Sequence, residues 1–299
     1  WYDALNGLPG QLGSSLSETL ELKRLILFIL ESITKLNIDS AELWAVPVEI
    51  REFMVRLQGL LKNYFTDKRK ERDFLFWDQA TASKEAYREQ TRLGVSGYEE
   101  RIAVGDLKDF FSLALEKIEI GIRKAWGKSG KIPATYFINK VVEYELITET
   151  DSTGNKQFKK NGNGQSCFRA LRFKQIPLPL FLEGPVHFLR IERDQAEARA
   201  LAREIKRSGL YDRKLRMYKV NESLSDQPME IGRTRIFTPG WLENESIWMH
   251  MEYKYMLELL RSGLYTEFYE DFKHVLVPFL DPEMYGRSIF ENSSFICSS

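Results

Sequence analysis

Residues 237–250 combine a turn, a carboxylate, an amide, two indoles and one of the three histidines of the chain. Pro239-Gly240 is a strong turn signal, and the apolar residues from Ile247 onward have helical spacing. We therefore expect the polar side chains on a loop and on the first turn of a helix. Unpaired backbone N–H groups at a helix start favour a bound anion. The segment predicts a polar binding site with room for an anion.

A second cluster of polar and aromatic residues opens the sequence and also leads into an apolar helix. The side chains in it that can do chemistry are Trp1, Asp3 and Asn6. A carboxyl group beside an indole is suited to general acid catalysis. Two polar, aromatic loops that each lead into a helix suggest one carbohydrate site assembled from distant segments.

The elements that must position these loops are mostly helices. Helical periodicity is found in seven segments, 14–36, 40–65, 67–92, 105–127, 193–208, 246–261 and 266–278. We expect Ser14 or Ser15 to cap the first helix. Residues 135–148 and 168–173 are rich in β-forming side chains and flank a Gly/Asn/Lys-rich stretch at 151–164, which predicts a long β-hairpin.

The pentapeptide Arg-Ser-Gly-Leu-Tyr occurs twice, at 207–211 and at 261–265. Each copy is predicted to end a helix, with its glycine in the left-handed conformation. Recurrent helical hairpins of this kind are typical of an α/α toroid.

Composition excludes several classes of protein. A chain of 299 residues is long enough for one large domain or two ordinary ones. Its hydrophobic fraction of 43% excludes a disordered protein. Lys and Arg total 43, as do Asp and Glu, so no net field would attract nucleic acid or an anionic membrane. No apolar run reaches transmembrane length. Two distant cysteines, Cys167 and Cys297, favour a reducing compartment and predict a cytoplasmic protein.

The two motifs together resemble those of the inverting glycoside phosphorylases of the cellobiose and chitobiose phosphorylase family. In that family Trp-Asn-Asp-x-x-Asn holds the catalytic acid, and residues 1–6 match it except that Tyr2 replaces Asn. The second family motif, Pro-Gly-x-x-Glu-Asn-x-x-Ile-x-x-His, is matched throughout residues 239–250. The chain departs from the family at Glu245 and Ser246, where two glycines are usual.

The family's catalytic domain is an (α/α)6 barrel, so the resemblance implies a mainly α fold that forms part of an (α/α)6 toroid. Residues 1–299 are then one catalytic fragment, with the β-hairpin as an insertion at approximately 130–175. Because the first motif begins at residue 1 and no initiator Met precedes it, we expect this chain to be an internal piece of a larger protein.

Carried over residue by residue, the resemblance also implies roles for side chains. Asp3 is the general acid, and His250 contacts phosphate. Sugar contacts are assigned to Trp1, Asn6, Trp241 and Glu243. The resemblance implies neither a metal nor a cofactor. Inorganic phosphate serves as co-substrate.

The activity implied is inverting phosphorolysis of a β-glycosidic bond in a glucoside or oligosaccharide, which yields a sugar 1-phosphate. The expected partners are an oligosaccharide and phosphate, and neither nucleic acid nor a membrane. A homodimer formed through the parent protein is one option for its assembly.

Two other functions stay open at this point. An inverting hydrolase on the same barrel would use Asp3 as acid and Glu243 to activate water, which requires two widely separated carboxyl groups. A non-catalytic carbohydrate-binding relative is the third possibility, since fold does not fix function.

Each residue also has a structural interpretation. Asp3 can cap a turn, Glu243 can be a first-turn carboxylate favoured by the helix dipole, and His250 can be a core histidine. Arg233 and Arg235 are expected in surface ion pairs rather than on phosphate. The remaining histidines, His187 and His274, are assigned no role.

Overall fold

The computed structural model describes residues 3–127, 130–192, 194–286 and 295–296. It is about 52% helical, which confirms the predicted mainly α class. The α-helices in chain order are α1 (Leu16–Lys35), α2 (Val48–Thr66), α3 (Arg72–Gln90), α4 (Val104–Ala125), α5 (Glu183–Ile191), α6 (Gln195–Arg207), α7 (Met249–Arg261), α8 (Tyr265–Val275) and α9 (Pro282–Tyr285). Short 3-10 helices span Asp3–Leu5, Leu8–Gln11, Met229–Ile231, Arg233–Arg235 and Val277–Phe279.

The strands form small sheets. They are β1 (Ser14–Ser15), β2 (Leu43–Pro47), β3 (Glu99–Ala103), β4 (Tyr136–Leu146), β5 (Thr148–Thr150), β6 (Lys156–Phe158), β7 (Phe168–Pro177), β8 (Tyr211–Asp212), β9 (Met217–Tyr218), β10 (Ile247–Trp248) and β11 (Phe295–Ile296). One sheet has the strand order β1-β4-β7. The others are antiparallel pairs, β2 with β3, β5 with β6, β8 with β9 and β10 with β11.

The chain folds into two compact units. The first unit takes its described residues from 1–24, 121–140 and 175–299, and the second from 25–120 and 141–174. The large core of the first unit is built mainly by α5, α6, α7 and α8. A smaller core, here called the loop core, consists of Leu5, Leu8, Tyr136, Ile138, Leu178, Phe181, Leu224 and Ile231.

Residues 43–47 differ from the sequence prediction, which placed them in a helix over 40–65. They form β2, which pairs antiparallel with β3, and the helix starts only at Val48. Pro47 precedes that helix as its N-cap residue with φ −54°. The apolar spacing suits either element over a short run, and pairing with a strand more than fifty residues away decides between them.

The predicted long hairpin is present as β4 and β7. Its tip carries a second, smaller hairpin, since β5 pairs with β6, and β6 lies within the Gly/Asn/Lys-rich stretch 151–164. Asp151 closes the turn, because its Oδ1 accepts hydrogen bonds from the backbone N–H groups of Thr153 and Asn155, each at 2.9 Å. Asp151 thus stabilises a tight turn there, as aspartate commonly does.

Both copies of the repeated pentapeptide end a helix, as predicted, because α6 ends at Arg207 and α7 at Arg261. Gly263 has the expected left-handed backbone, with φ +70°. The prediction was wrong for Gly209, which is not in that conformation. Its N–H instead donates to Glu222 Oε1 at 2.9 Å, and a Cβ there would lie 2.9 Å from the same oxygen.

The described helices also bear on the membrane prediction. None of them combines the length and the apolar character that crossing a bilayer requires.

Candidate functional site

The opening loop is anchored by its apolar residues and exposes its polar ones. Leu5 and Leu8 are fully buried in the loop core, and Ala4 is also buried. Asp3, which begins the 3-10 helix Asp3–Leu5, and Asn6, which follows it, are both exposed. Trp1, which the resemblance assigns to sugar, lies outside the described residues. The burial pattern therefore fixes the backbone of this loop while the side chains of Asp3 and Asn6 stay partly accessible to solvent.

Residues 231–235 hold this opening loop in place. The N–H of Gly7 donates to the carbonyl oxygen of Ile231 at 3.1 Å, and the N–H of Arg233 donates to Asn6 Oδ1 at 3.0 Å. Gly232 has φ +132° and lies so close that an added Cβ would be 2.5 Å from Asn6 Oδ1. Only glycine fits both the backbone angle and the contact.

Arg233 also reaches the second motif. Its Nη2 donates to Glu243 Oε1 at 3.3 Å, in an ion pair whose arginine is half exposed. The Thr234 hydroxyl donates to the carbonyl oxygen of Glu243 at 2.7 Å. Through these contacts the structure brings both Asn6 and Glu243 into hydrogen bonds with one arginine. The surface ion pair predicted for Arg233 is present, and its partner is a candidate site residue.

The loop that carries Glu243 is a compact turn. Gly240 has φ +84°, and its N–H donates to the carbonyl oxygen of Asn244 at 2.8 Å. Asn244 is buried and donates from Nδ2 to the carbonyl oxygen of Phe237 at 2.8 Å. Glu243 thus lies on this loop, ahead of α7 and not on its first turn. Its position comes from Arg233 and Thr234, not from the helix dipole.

Two indoles flank this loop in different environments. Trp241 is 47% exposed, so part of its indole is accessible to a ligand. Trp248 is half-buried against the large core and donates from Nε1 to the carbonyl oxygen of Leu242 at 2.8 Å. Of the two, Trp241 therefore suits the predicted sugar contact.

Glu245 stands at one of the two positions where the sequence departs from the motif that it resembles. It has φ +58°, a left-handed conformation that glycine adopts without strain. Its backbone N–H donates to Asn221 Oδ1 at 2.6 Å, and its carboxylate pairs with Lys219 Nζ at 3.1 Å. These contacts hold a glutamate in a backbone shape that suits the glycine usual in the family.

His250 lies on the first turn of α7 and is exposed. Its ring meets that of Trp248 edge-on, with centroids 5.6 Å apart. Partial burial and, to a smaller extent, the charge of Lys254 lower the pKa of His250 below its usual value of 6.5. The imidazole is therefore mostly neutral at pH 7, and would meet an anion through a single N–H donor.

A second polar cluster, which sequence reasoning missed, surrounds His187. Its Nδ1 lies 2.7 Å from Glu21 Oε1, and its Nε2 lies 3.8 Å from Glu183 Oε1. The Tyr136 hydroxyl donates to Glu183 Oε2, and Arg190 Nη1 donates to Glu21 Oε1 at 2.9 Å. Glu21 and His187 are 166 positions apart, so no local pattern could have indicated the contact.

Metal binding has no support from the described side chains. Among them, no group of three or more His, Cys, Asp or Glu residues is arranged to hold a metal ion. The candidate residues of the two motif loops and of α7 carry carboxylate, amide, guanidinium, indole and imidazole groups. All of these can hydrogen-bond a hydroxyl group or pack against a sugar ring, and the guanidinium and imidazole can also bind an anion.

Comparison of the sequence with models of protein families gives no match, and comparison with curated proteins gives no significant match.

Proposed function

We propose that this protein is a carbohydrate-active enzyme that cleaves a β-glycosidic bond by inverting phosphorolysis. The observation that carries the proposal is the double contact of Arg233 with Asn6 and Glu243. The 3-10 helix Asp3–Leu5 also packs against the 3-10 helix Arg233–Arg235. The two loops that resemble phosphorylase motifs thus share one arginine. The mainly α fold supports part of an (α/α)6 toroid as the scaffold.

In the proposed reaction Asp3 donates its proton to the glycosidic oxygen. A phosphate oxygen attacks the anomeric carbon from the opposite face, the bond to the leaving sugar breaks, and the anomeric configuration inverts. The products are a sugar 1-phosphate and a shortened acceptor, and Asp3 regains its proton from solvent. Phosphate is already a nucleophile, so the reaction needs no protein base.

The remaining side chains bind and orient in this proposal. Glu243 accepts a hydrogen bond from a sugar hydroxyl, and the exposed part of the Trp241 indole packs against the sugar ring. His250 donates one N–H to phosphate, beside the backbone N–H groups of the first turn of α7. Asn6 mainly holds the opening loop in position, since its Oδ1 already accepts a hydrogen bond from the backbone N–H of Arg233.

The deciding experiment incubates the protein with β-linked gluco-oligosaccharides, with and without inorganic phosphate, and follows products by NMR. We expect an α-configured sugar 1-phosphate that forms only with phosphate. Equal cleavage with and without phosphate would contradict phosphorolysis and favour an inverting hydrolase in which Glu243 is the base. Absence of cleavage together with saturable sugar binding would favour a non-catalytic carbohydrate-binding protein.

Two variants test the acid. Asp3→Asn should reduce turnover by about two orders of magnitude or more. Aryl glycosides whose leaving groups need no protonation should recover part of that loss. Asp226→Asn, which changes another exposed aspartate of the same unit, is the matched control and should retain turnover. Wild-type turnover in Asp3→Asn would show that Asp3 is not the general acid.

A further inference from the structure

The second unit has a cleft between the end of α2 and the start of α3, here called the α2–α3 cleft. Its volume is about 270 Å³, and its lining includes Tyr64, Arg69, Arg72, Leu75, Phe76 and Gln79. None of the side chains assigned to the proposed reaction lines it. The cleft therefore has to be explained separately from the site at the motif loops.

The lining of the α2–α3 cleft is accessible to a ligand. Tyr64 is buried and packs against Arg72, whose Cζ lies 4.9 Å from the centre of the tyrosine ring. Most of the other lining residues keep accessible surface, among them Arg69, Arg72, Leu75, Phe76 and Gln79. A ligand in the cleft can therefore reach both guanidinium groups and apolar side chains.

Arg72 brings to the cleft a positive charge that no described carboxylate neutralises. It forms no ion pair with the described residues, and its guanidinium group packs on the Tyr64 ring instead. Asp67, the acidic residue of the lining, is already paired, because Arg69 donates to it from Nε at 3.0 Å and from Nη2 at 2.7 Å. The cleft therefore favours a ligand that carries negative charge.

The chain around the cleft is also basic. Residues 62–72 contain five basic and two acidic residues. The neighbouring Asp73 has partners of its own, since it accepts from the Tyr64 hydroxyl at 2.9 Å and lies 3.9 Å from Lys117 Nζ. The chain as a whole has no net charge, so this local excess of positive charge is what would attract an anion to the second unit.

We propose that the α2–α3 cleft binds a small organic phosphate monoester. Arg72 donates to the phosphate oxygens, and Arg69, which binds Asp67 through Nε and Nη2, adds a donor from Nη1. A phosphate monoester carries nearly two negative charges at pH 7 and so suits this basic site better than a carboxylate does. Leu75 and Phe76 pack against the carbon part of the ligand, and their surface would stay in contact with water if inorganic phosphate alone were bound.

Phenyl phosphate is the probe for this proposal, with binding to the complete chain measured by titration calorimetry and by phosphorus NMR. Arg72→Gln should weaken its binding about tenfold, because a hydrogen bond to a charged group is lost. Arg88→Gln is the matched control, since it changes an exposed arginine of the same helix that is already paired with Glu85, and binding should stay unchanged. Gln79→Glu places a carboxylate at the cleft and should also weaken binding, so the test does not depend on one variant.

Two related ligands test the chemical class. Benzoate keeps the ring but carries a carboxylate, and inorganic phosphate lacks the ring, so both should bind more weakly than phenyl phosphate. Benzoate binding as tight as that of the probe would contradict a phosphate site. Equally tight binding of inorganic phosphate would contradict a site for an organic ligand, and no binding of the probe at all would overturn the proposal.

Two further variants separate the cleft from other positive groups. Lys68→Gln changes an exposed lysine beside the cleft and should weaken binding less than Arg72→Gln does, and an equal loss would mean that diffuse surface charge attracts the probe. His250→Ala should leave the Arg72-dependent binding intact. Loss of binding in His250→Ala with retention in Arg72→Gln would assign the probe to the motif loops and overturn this proposal. Each outcome can be read whether or not the protein cleaves glycosides.

Discussion

The backbone N–H of Arg233 donates to Asn6 Oδ1 at 3.0 Å across a sequence separation of 227 residues. The guanidinium group of the same arginine pairs with Glu243. One residue therefore fixes the distance between two loops that sequence analysis could only treat separately. The close approach depends on Gly232, since a Cβ at this position would overlap with the backbone of Ala4 and the side chain of Asn6.

Gly232→Ala is expected to destabilise the fold. A Cβ there would lie 2.5 Å from Asn6 Oδ1 and 2.6 Å from the carbonyl oxygen of Ala4, and φ +132° is strained for alanine. We expect a loss of at least about 2 kcal/mol in the free energy of unfolding, measured by urea denaturation. Gly10→Ala is the control, because a Cβ at Gly10 meets nothing within 4 Å. Equal effects of the two changes would contradict the close approach.

At Glu245 we expect glycine to be better tolerated than alanine. Both changes remove the ion pair with Lys219, but only alanine keeps the cost of φ +58°. Glu245→Gly should therefore be more stable than Glu245→Ala by about 1 kcal/mol. On helix α6 the order should reverse at the exposed Glu197, because glycine disfavours a helix. The same order at both positions would mean that Glu245 is not left-handed.

The buried Glu252 should make stability fall as pH rises. Burial, and to a lesser extent the charge of Asp271, raise the pKa of Glu252 well above 4.5, although a hydrogen bond from the Tyr218 N–H opposes the rise. The folded state therefore binds a proton that the unfolded state releases between pH 4.5 and that raised pKa. Stability falls with pH through this window, by at most about 1.4 kcal/mol per pH unit.

Glu252→Gln should remove that part of the pH dependence, because glutamine stays neutral and keeps an acceptor for Tyr218. Thermal unfolding across the pH range measures the effect. Glu270→Gln changes an exposed carboxylate on α8 and is the control, with a pH profile like that of the unmodified protein. A Glu252→Gln profile parallel to the unmodified one would show that Glu252 does not titrate in this window.

His250 should titrate below pH 6.5 in an NMR titration. Partial burial is the larger cause of its lowered pKa and Lys254 the smaller one. Lys254→Gln should therefore raise the pKa of His250 while leaving it below 6.5. The pKa of His274, which burial and then Arg216 lower, serves as an internal control and should not move. No change at His250 would exclude Lys254 as a cause.

The sequence alone determined the elements whose signals are local. Apolar residues at helical spacing located α1, α4 and α7, because a helix buries residues that lie three and four positions apart. Pro239-Gly240 indicated the turn before Glu243, because a turn also depends only on a few adjacent residues. The two motif loops could also be recognised as polar segments that precede helices.

Tertiary structure alone decided what those loops contact. Whether residues 43–47 became helix or strand depended on β3, and the position of Glu243 depended on Arg233. The residue type of Glu245 does not indicate its left-handed backbone, and the residue type of Glu252 does not indicate its complete burial. Such properties arise from contacts between residues far apart in the chain, and the free energy of those contacts overrides local preference.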